Sequence, residues 1–213
     1  MDEAQWAVRP RWLDETWALN QEGSIKVAHI NSTYTGMAKA FHWLLALMIV
    51  VSFSVGLYMV DQPFSPQRLK LYNWHKWAGV TILALSALRL LWRFHRPAPA
   101  LPATMPAWQK GASDIAHIFL YVLFFAVPLT GWAYSSAAGF SIVWFGVLPL
   151  PDLVLKNREL AEFLKPFHWI TAYTLAALVV VHIAAALKHH FIERDDVLQR
   201  MLPAFSGPTT KPH

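Results

Sequence analysis

Three stretches of this chain, residues 40–60, 115–151 and 166–187, contain no Asp, Glu, Lys or Arg. A helix needs about 20 apolar residues to cross a hydrocarbon layer of ~30 Å, so the 21 residues of the first run and the 22 of the last each read as a membrane span. The middle run is longer than one helix requires. Pro128, Gly131, Ser135, Ser136 and Gly139 divide it into a helix, kinked at Pro128, and an apolar loop from Gly139 to Pro151 that rests at the interface through Trp144 and Phe145. Only 15% of the residues are charged and 55% are hydrophobic, which excludes disorder, a nucleic-acid arm and a highly charged coiled coil.

A fourth span is harder to find. Residues 77–88 are uncharged for only 12 positions, but a helix over 71–92 places Lys76 and Arg89 close enough to its ends to snorkel or to meet a buried anion. The expected fold is therefore an all-α integral membrane protein, a four-helix bundle with spans at about 37–60, 71–92, 113–134 and 166–187. Twelve of the 18 Lys and Arg then share one side, which the positive-inside rule makes cytoplasmic, with both termini there. The net charge of +5 is mostly a topology signal, and basic residues scattered at span ends do not suggest nucleic-acid binding.

Residues 1–33 form an expected cytoplasmic extension and 203–213 a tail, around a membrane domain at 34–202. The first 30 residues begin Met-Asp-Glu and lack an apolar core, so they read as neither signal peptide nor span. Trp6, Trp12, Leu13 and Trp17 form either an interfacial face or part of a poorly ordered tail, the second being favoured. The sequon at Asn31 carries no meaning on a cytoplasmic face.

Ionisable residues inside a membrane are rare enough to suggest function, and the spans hold His42, His75, His168 and His182. His42 and His182 fall near the cytoplasmic surface, His75 and His168 near the opposite one. His168 and His182 are 14 residues apart, so they lie within about 40° of one helix face and about 21 Å apart along it. One helix thus offers an imidazole at each of two levels, and the first two spans each supply a partner. Two neutral nitrogen ligands without a carboxylate suit haem iron with both axial positions filled better than hydrolytic zinc. With no Cys for covalent attachment, such haems are b-type. A flat macrocycle needs small neighbours, and the residues four after each His are Ala46, Gly79, Ala172 and Ala186.

Arg89 lies 14 residues after His75, on the same face and at the level of the cytoplasmic pair, so it reads either as a propionate partner or as a snorkelling helix-end residue. Lys76 has the same two readings on the far side. His117 has no partner at its expected depth and is a supporting or quinone-contact candidate. His189, with His190, either meets a propionate or quinone or is a plain surface residue.

These residues resemble the bacterial four-helix di-haem cytochrome b561 family. The resemblance runs from about Tyr34 to Leu202, and its carriers are Ala40-Phe-His-Trp-Leu44, Trp74-His-Lys-Trp77, Arg89-Leu-Leu-Trp-Arg93, Ala116-His-Ile-Phe-Leu-Tyr121 with Pro128 and Gly131, Phe167-His-Trp169, and His182 with Leu187-Lys-His-His190. Each is short; their ordered set is specific. The resemblance implies a bacterial inner-membrane protein with a cytoplasmic-side haem on His42 and His182, a periplasmic-side haem on His75 and His168, and electron exchange with quinone, ubiquinone being the implied substrate. Some members resemble superoxide oxidases with a basic, Trp-lined outer surface, whose counterpart here is Trp74, Lys76, Trp77, Lys165 and Trp169. The N-terminal extension departs from the family pattern and leaves open an added partner contact or an upstream start codon.

The expected function is electron transfer through two haems between a periplasmic-side donor or acceptor, superoxide among the candidates, and quinone. Two rivals stand beside it: an anchor subunit for a separate periplasmic dehydrogenase, docking through residues 139–165, and a haem-free transporter whose histidines relay protons or bind a divalent cation. Copurification of a soluble redox partner distinguishes the first, and a colourless protein the second.

Overall fold

The computed structural model describes residues 33–203. The extension with Trp6, Trp12, Leu13 and Trp17, the sequon's Asn31 and the tail from residue 204 lie outside the described residues. Four long helices dominate: α1 (Gly36–Val60), α2 (Pro66–His95), α3 (Ala107–Ala137) and α4 (Arg158–Lys188). All four are long and apolar enough to cross a membrane.

Their ends explain why three of them outrun the expected spans. Ser65 caps α2 by accepting the Arg68 N–H at 3.2 Å, and Pro66 follows where a missing N–H costs nothing, so α2 begins five residues before position 71. Asn157 caps α4 in the same way, accepting from Leu160 at 3.0 Å, so α4 starts at Arg158 and carries Pro166 inside it. α3 starts at Ala107, directly after Pro106, rather than at Ser113. The charged first turns extend the helices beyond the apolar layer that hydropathy detects.

The loop after α3 corrects the all-α expectation. It contains a small antiparallel hairpin, β1 (Val143–Trp144) with β2 (Leu148–Pro149), in the register Trp144 opposite Leu148. Three residues, 145–147, join the strands; the Val147 N–H donates to the Trp144 carbonyl at 3.1 Å across Phe145 and Gly146, whose φ of 51° and 75° are the left-handed pair such a turn requires. Aromatic contacts hold Phe145 there, with ring centroids 5.0 Å from Trp144 and 5.5 Å from Trp77. The Trp77 indole donates to the Val143 carbonyl at 2.6 Å and that of Trp144 to the Thr81 hydroxyl at 3.3 Å, which seats the hairpin on α2.

At the opposite end α4 passes into a π-helical turn (His189–Glu193), reverses at Arg194 (φ 55°) and ends in α5 (Val197–Met201). This segment is laid across the helix ends rather than left free at the surface. Lys39 and Trp43 of α1 donate to the carbonyls of Leu202 and Met201 at 2.9 and 3.0 Å, and the Arg200 guanidinium donates to the Ala100 carbonyl at 2.6 Å.

The long helices pack in chain order, α1 on α2, α2 on α3 and α3 on α4; α1 with α4 and α2 with α4 are not among the closely packed pairs. A cluster of Leu120, Leu123 and Leu175, flanked by Ile49, Phe124 and Leu178, fills the middle of the bundle. It separates a hairpin end, where α2 and α4 begin, from a termini end, where α1 begins and α4 finishes.

Candidate functional site: two histidine pairs

At the hairpin end His75 of α2 faces His168 of α4 with ring centroids 6.2 Å apart. At the termini end His42 of α1 faces His182 of α4, also at 6.2 Å. Both pairs bridge helices that do not pack closely, so the imidazoles meet across the space between backbones. Two nitrogens each about 2 Å from a shared metal, with ring centres about 1.2 Å behind them, put centroids roughly 6 Å apart, so each pair fits one metal ion between its rings.

The hairpin-end rings have fixed proton positions. Nδ1 of His75 lies 3.0 Å from the Ser52 carbonyl on α1, and Nδ1 of His168 lies 3.0 Å from the Val127 carbonyl on α3. A carbonyl only accepts, so Nδ1 carries the proton in both rings and Nε2 keeps its lone pair for a metal. The Ser52 and Thr130 hydroxyls stand 3.3 Å from the same two nitrogens. Glycines four residues after each accepting carbonyl make the approach feasible. A Cβ on Gly56 would stand 3.1 Å from Cε1 of His75, and one on Gly131 2.8 Å from Cε1 of His168. Sequence reasoning missed Ser52, Val127, Thr130 and Gly56 in this role; the repeated spacing of carbonyl and glycine, 52 to 56 and 127 to 131, was the available signal.

The termini-end pair has no such anchors among the described residues, and a third imidazole joins it. His117 lies 5.5 Å from His182 between centroids, which corrects the expectation that it stands alone at its depth. α3 starts at the termini end, as α1 does, and His117 stands in its first turns at the level of His42 and His182. Its Nδ1 donates to the Ser113 carbonyl one turn back, at 2.7 Å.

Arg89 reaches the same end. Its Nε donates to the Tyr121 hydroxyl at 3.4 Å, its guanidinium and that of Arg93 lie about 6 Å from the Tyr121 ring, and its Nη1 is buried without a partner among the described residues. A buried, unpaired guanidinium nitrogen beside two facing imidazoles fits a carboxylate-bearing cofactor such as haem. The residue four after His75 also fits a flat group, since beyond its own turn of helix no described atom lies within 4 Å of where a Cβ on Gly79 would stand.

The remaining candidates are dispersed. His189 has Nδ1 within 2.6 Å of both the Glu193 and Asp195 carboxylates, so that nitrogen is committed to the C-terminal turn rather than free for a cofactor. Trp74 and Trp169 are half exposed at the hairpin end and Lys76 is partly buried. Trp77 is not free surface, because its ring and N–H hold the hairpin. Lys165 lines an open cleft of about 410 Å³ with Tyr134, Lys156, Arg158 and Glu162, a lining that does not include Lys76.

Comparison with known proteins agrees with this architecture. The family described as prokaryotic cytochrome b561 matches residues 33–204. Cytochrome b561 homolog 2 of Escherichia coli (strain K12) is 35% identical over 171 residues, covering 79% of this chain and 90% of that protein. Cytochrome b561 homolog 1 of the same strain is 31% identical, covering 76% and 92%. Probable superoxide oxidase CybB of Yersinia pestis is 28% identical over 182 residues, 84% of this chain and 100% of that protein. This chain belongs to the prokaryotic cytochrome b561 family, multi-pass oxidoreductases of the bacterial inner membrane that bind haem b and carry electrons.

Proposed function

We propose that the chain moves electrons across the membrane between two sites, one on His75 and His168 and the other on His42 and His182, linking a periplasmic-side donor or acceptor to the quinone pool. The observation that carries this reading is the pair of opposed imidazoles at each level, both at 6.2 Å, supplied in common by α4. A b-type haem at each pair supplies, when bound, the one-electron chemistry. The chain supplies ligand nitrogens, the apolar partition of Leu120, Leu123 and Leu175 that keeps water from between the sites, and the Arg89 cation for a propionate.

The termini end is cytoplasmic in this reading, by the distribution of Lys and Arg. The hairpin end then faces the periplasm, and superoxide is the donor we favour. A relative bears the name probable superoxide oxidase, and Lys76 and Lys165 give this end basic groups able to steer a small anion. Two superoxide anions surrender one electron each, leaving two molecules of oxygen, and the two electrons with two protons convert one quinone to quinol. Quinol formation from superoxide by protein reconstituted with ubiquinone tests this. The rate should fall several-fold in Lys76→Gln with Lys165→Gln at low ionic strength, and variant and wild type should converge at high salt, where steering is screened. Unchanged rates at low salt would remove superoxide steering from the account.

The anchor-subunit reading draws on one observation. Phe140, Val147 and Leu155 in the loop before α4 are 66%, 83% and 89% exposed, an apolar surface that a docked protein or the membrane interface would cover. A soluble redox protein that copurifies through this loop favours the docked partner.

A further inference from the structure

The two pairs differ in what receives the second ring nitrogen. A metal-bound imidazole almost always donates its other N–H to an acceptor, which fixes its tautomer and strengthens it as a ligand. His75 and His168 do this with the carbonyls of Ser52 and Val127. His42 and His182 have no hydrogen-bond partner among the described residues. The ring nearest His182 is that of His117, closer between centroids at 5.5 Å than His42 at 6.2 Å, and turned 78° to it.

His117 is prepared to accept. Its Nδ1 proton is spent on the Ser113 carbonyl at 2.7 Å, so its Nε2 carries a lone pair. With each ring nitrogen about 1.2 Å from its ring centre, centroids 5.5 Å apart leave facing nitrogens about 3 Å apart, the length of a hydrogen bond. The two rings are not hydrogen-bonded as they stand, so the contact requires a rotation that turns these nitrogens towards each other. We propose that His117 is a positioning residue for the termini-end site: its Nε2 accepts the Nδ1–H of His182, leaving Nε2 of His182 to the iron it shares with His42. This rests on the two-haem reading above.

The acceptor's identity has a consequence. A neutral imidazole nitrogen is a stronger base than a peptide carbonyl, so it draws the shared proton further and leaves more negative charge on His182. A more electron-rich ligand favours ferric over ferrous iron. Removing His117 therefore raises the midpoint potential of the termini-end haem and leaves the hairpin-end haem unchanged, since the latter's ligands donate to carbonyls of other residues.

Redox titration of the full chain, followed by its reduced-minus-oxidised spectrum and paired with a haem count, tests this. His117→Leu should keep two haems and shift one midpoint upward, and His117→Gln, whose side-chain carbonyl can still accept, should return that midpoint towards the wild-type value. A haem lost in His117→Leu but retained near its normal midpoint in His117→Gln supports the same role. Two unshifted midpoints in His117→Leu overturn it. So does loss of one haem in both His117 variants while His42→Ala keeps two, which would make His117 the ligand itself. The underlying reading fails separately, and visibly, if the wild type carries fewer than two haems or if His182→Ala keeps both.

Discussion

The two histidine pairs share a ring separation of 6.2 Å and reach it by different means. At the hairpin end each ring is fixed by a backbone carbonyl on a helix other than its own, and it lies against a glycine one turn further along that helix. Four helices thus define the site: α2 and α4 carry the rings, and α1 and α3 hold them. At the termini end the rings come from α1 and α4, a third imidazole stands on α3, and α2 contributes the Arg89 guanidinium. A site held by carbonyls is rigid, and its anchors carry no formal charge. One bordered by a further imidazole and a cation can be tuned through side chains. Under the proposed reading, this difference would give the two sites different means of setting a bound haem's potential.

Substitutions at the glycines probe the rigid side of this contrast most severely. A Cβ on Gly131 would stand 2.8 Å from the His168 ring, closer than real contacts allow, while that ring is held by the Val127 carbonyl. Gly131→Ala should therefore displace His168, cost about 1–3 kcal/mol as overpacking does, and lower the occupancy of the hairpin-end haem alone. Haem content and thermal unfolding read both effects. Gly56→Ala, at 3.1 Å from the His75 ring, should act in the same direction but less, because a few tenths of an ångström relieve it. Equal and negligible effects at the two positions would mean that ring placement is not set by these contacts.

Arg89→Gln is the smaller and complementary perturbation. Removing a part-buried cation at the termini end makes the ferrous form less favourable there, so a haem held there should show a lower midpoint while the other stays. The change should weaken less with added salt than one at an exposed charge, since Nη1 is shielded from solvent. A shift of equal size at both haems would deny the site-specific role.

Much of this arrangement was legible in the sequence. The charge-free runs located the spans, and the 14-residue spacing of His168 and His182 on one helix is enough, with their depths, to expect each to meet a partner. The features that escaped are of two kinds. Carbonyl acceptors have no side-chain signature, so Ser52 and Val127 are visible only through the glycines that follow them. Helix caps outside the apolar layer, at Ser65, Pro106 and Asn157, leave no mark on hydropathy, so the expected starts of α2, α3 and α4 fall several residues late. The hairpin escaped because its left-handed turn uses Phe145 before Gly146, where Asn or Asp would have announced it.

The haem content of paired histidine variants tests the central claim most directly. Two haems per wild-type chain are expected. His75→Ala with His168→Ala should keep one, as should His42→Ala with His182→Ala, whereas His75→Ala with His182→Ala should keep none. A cross-pair variant that retains a haem, or a same-pair variant that loses both while the protein stays folded, would contradict the assignment of one haem to each pair.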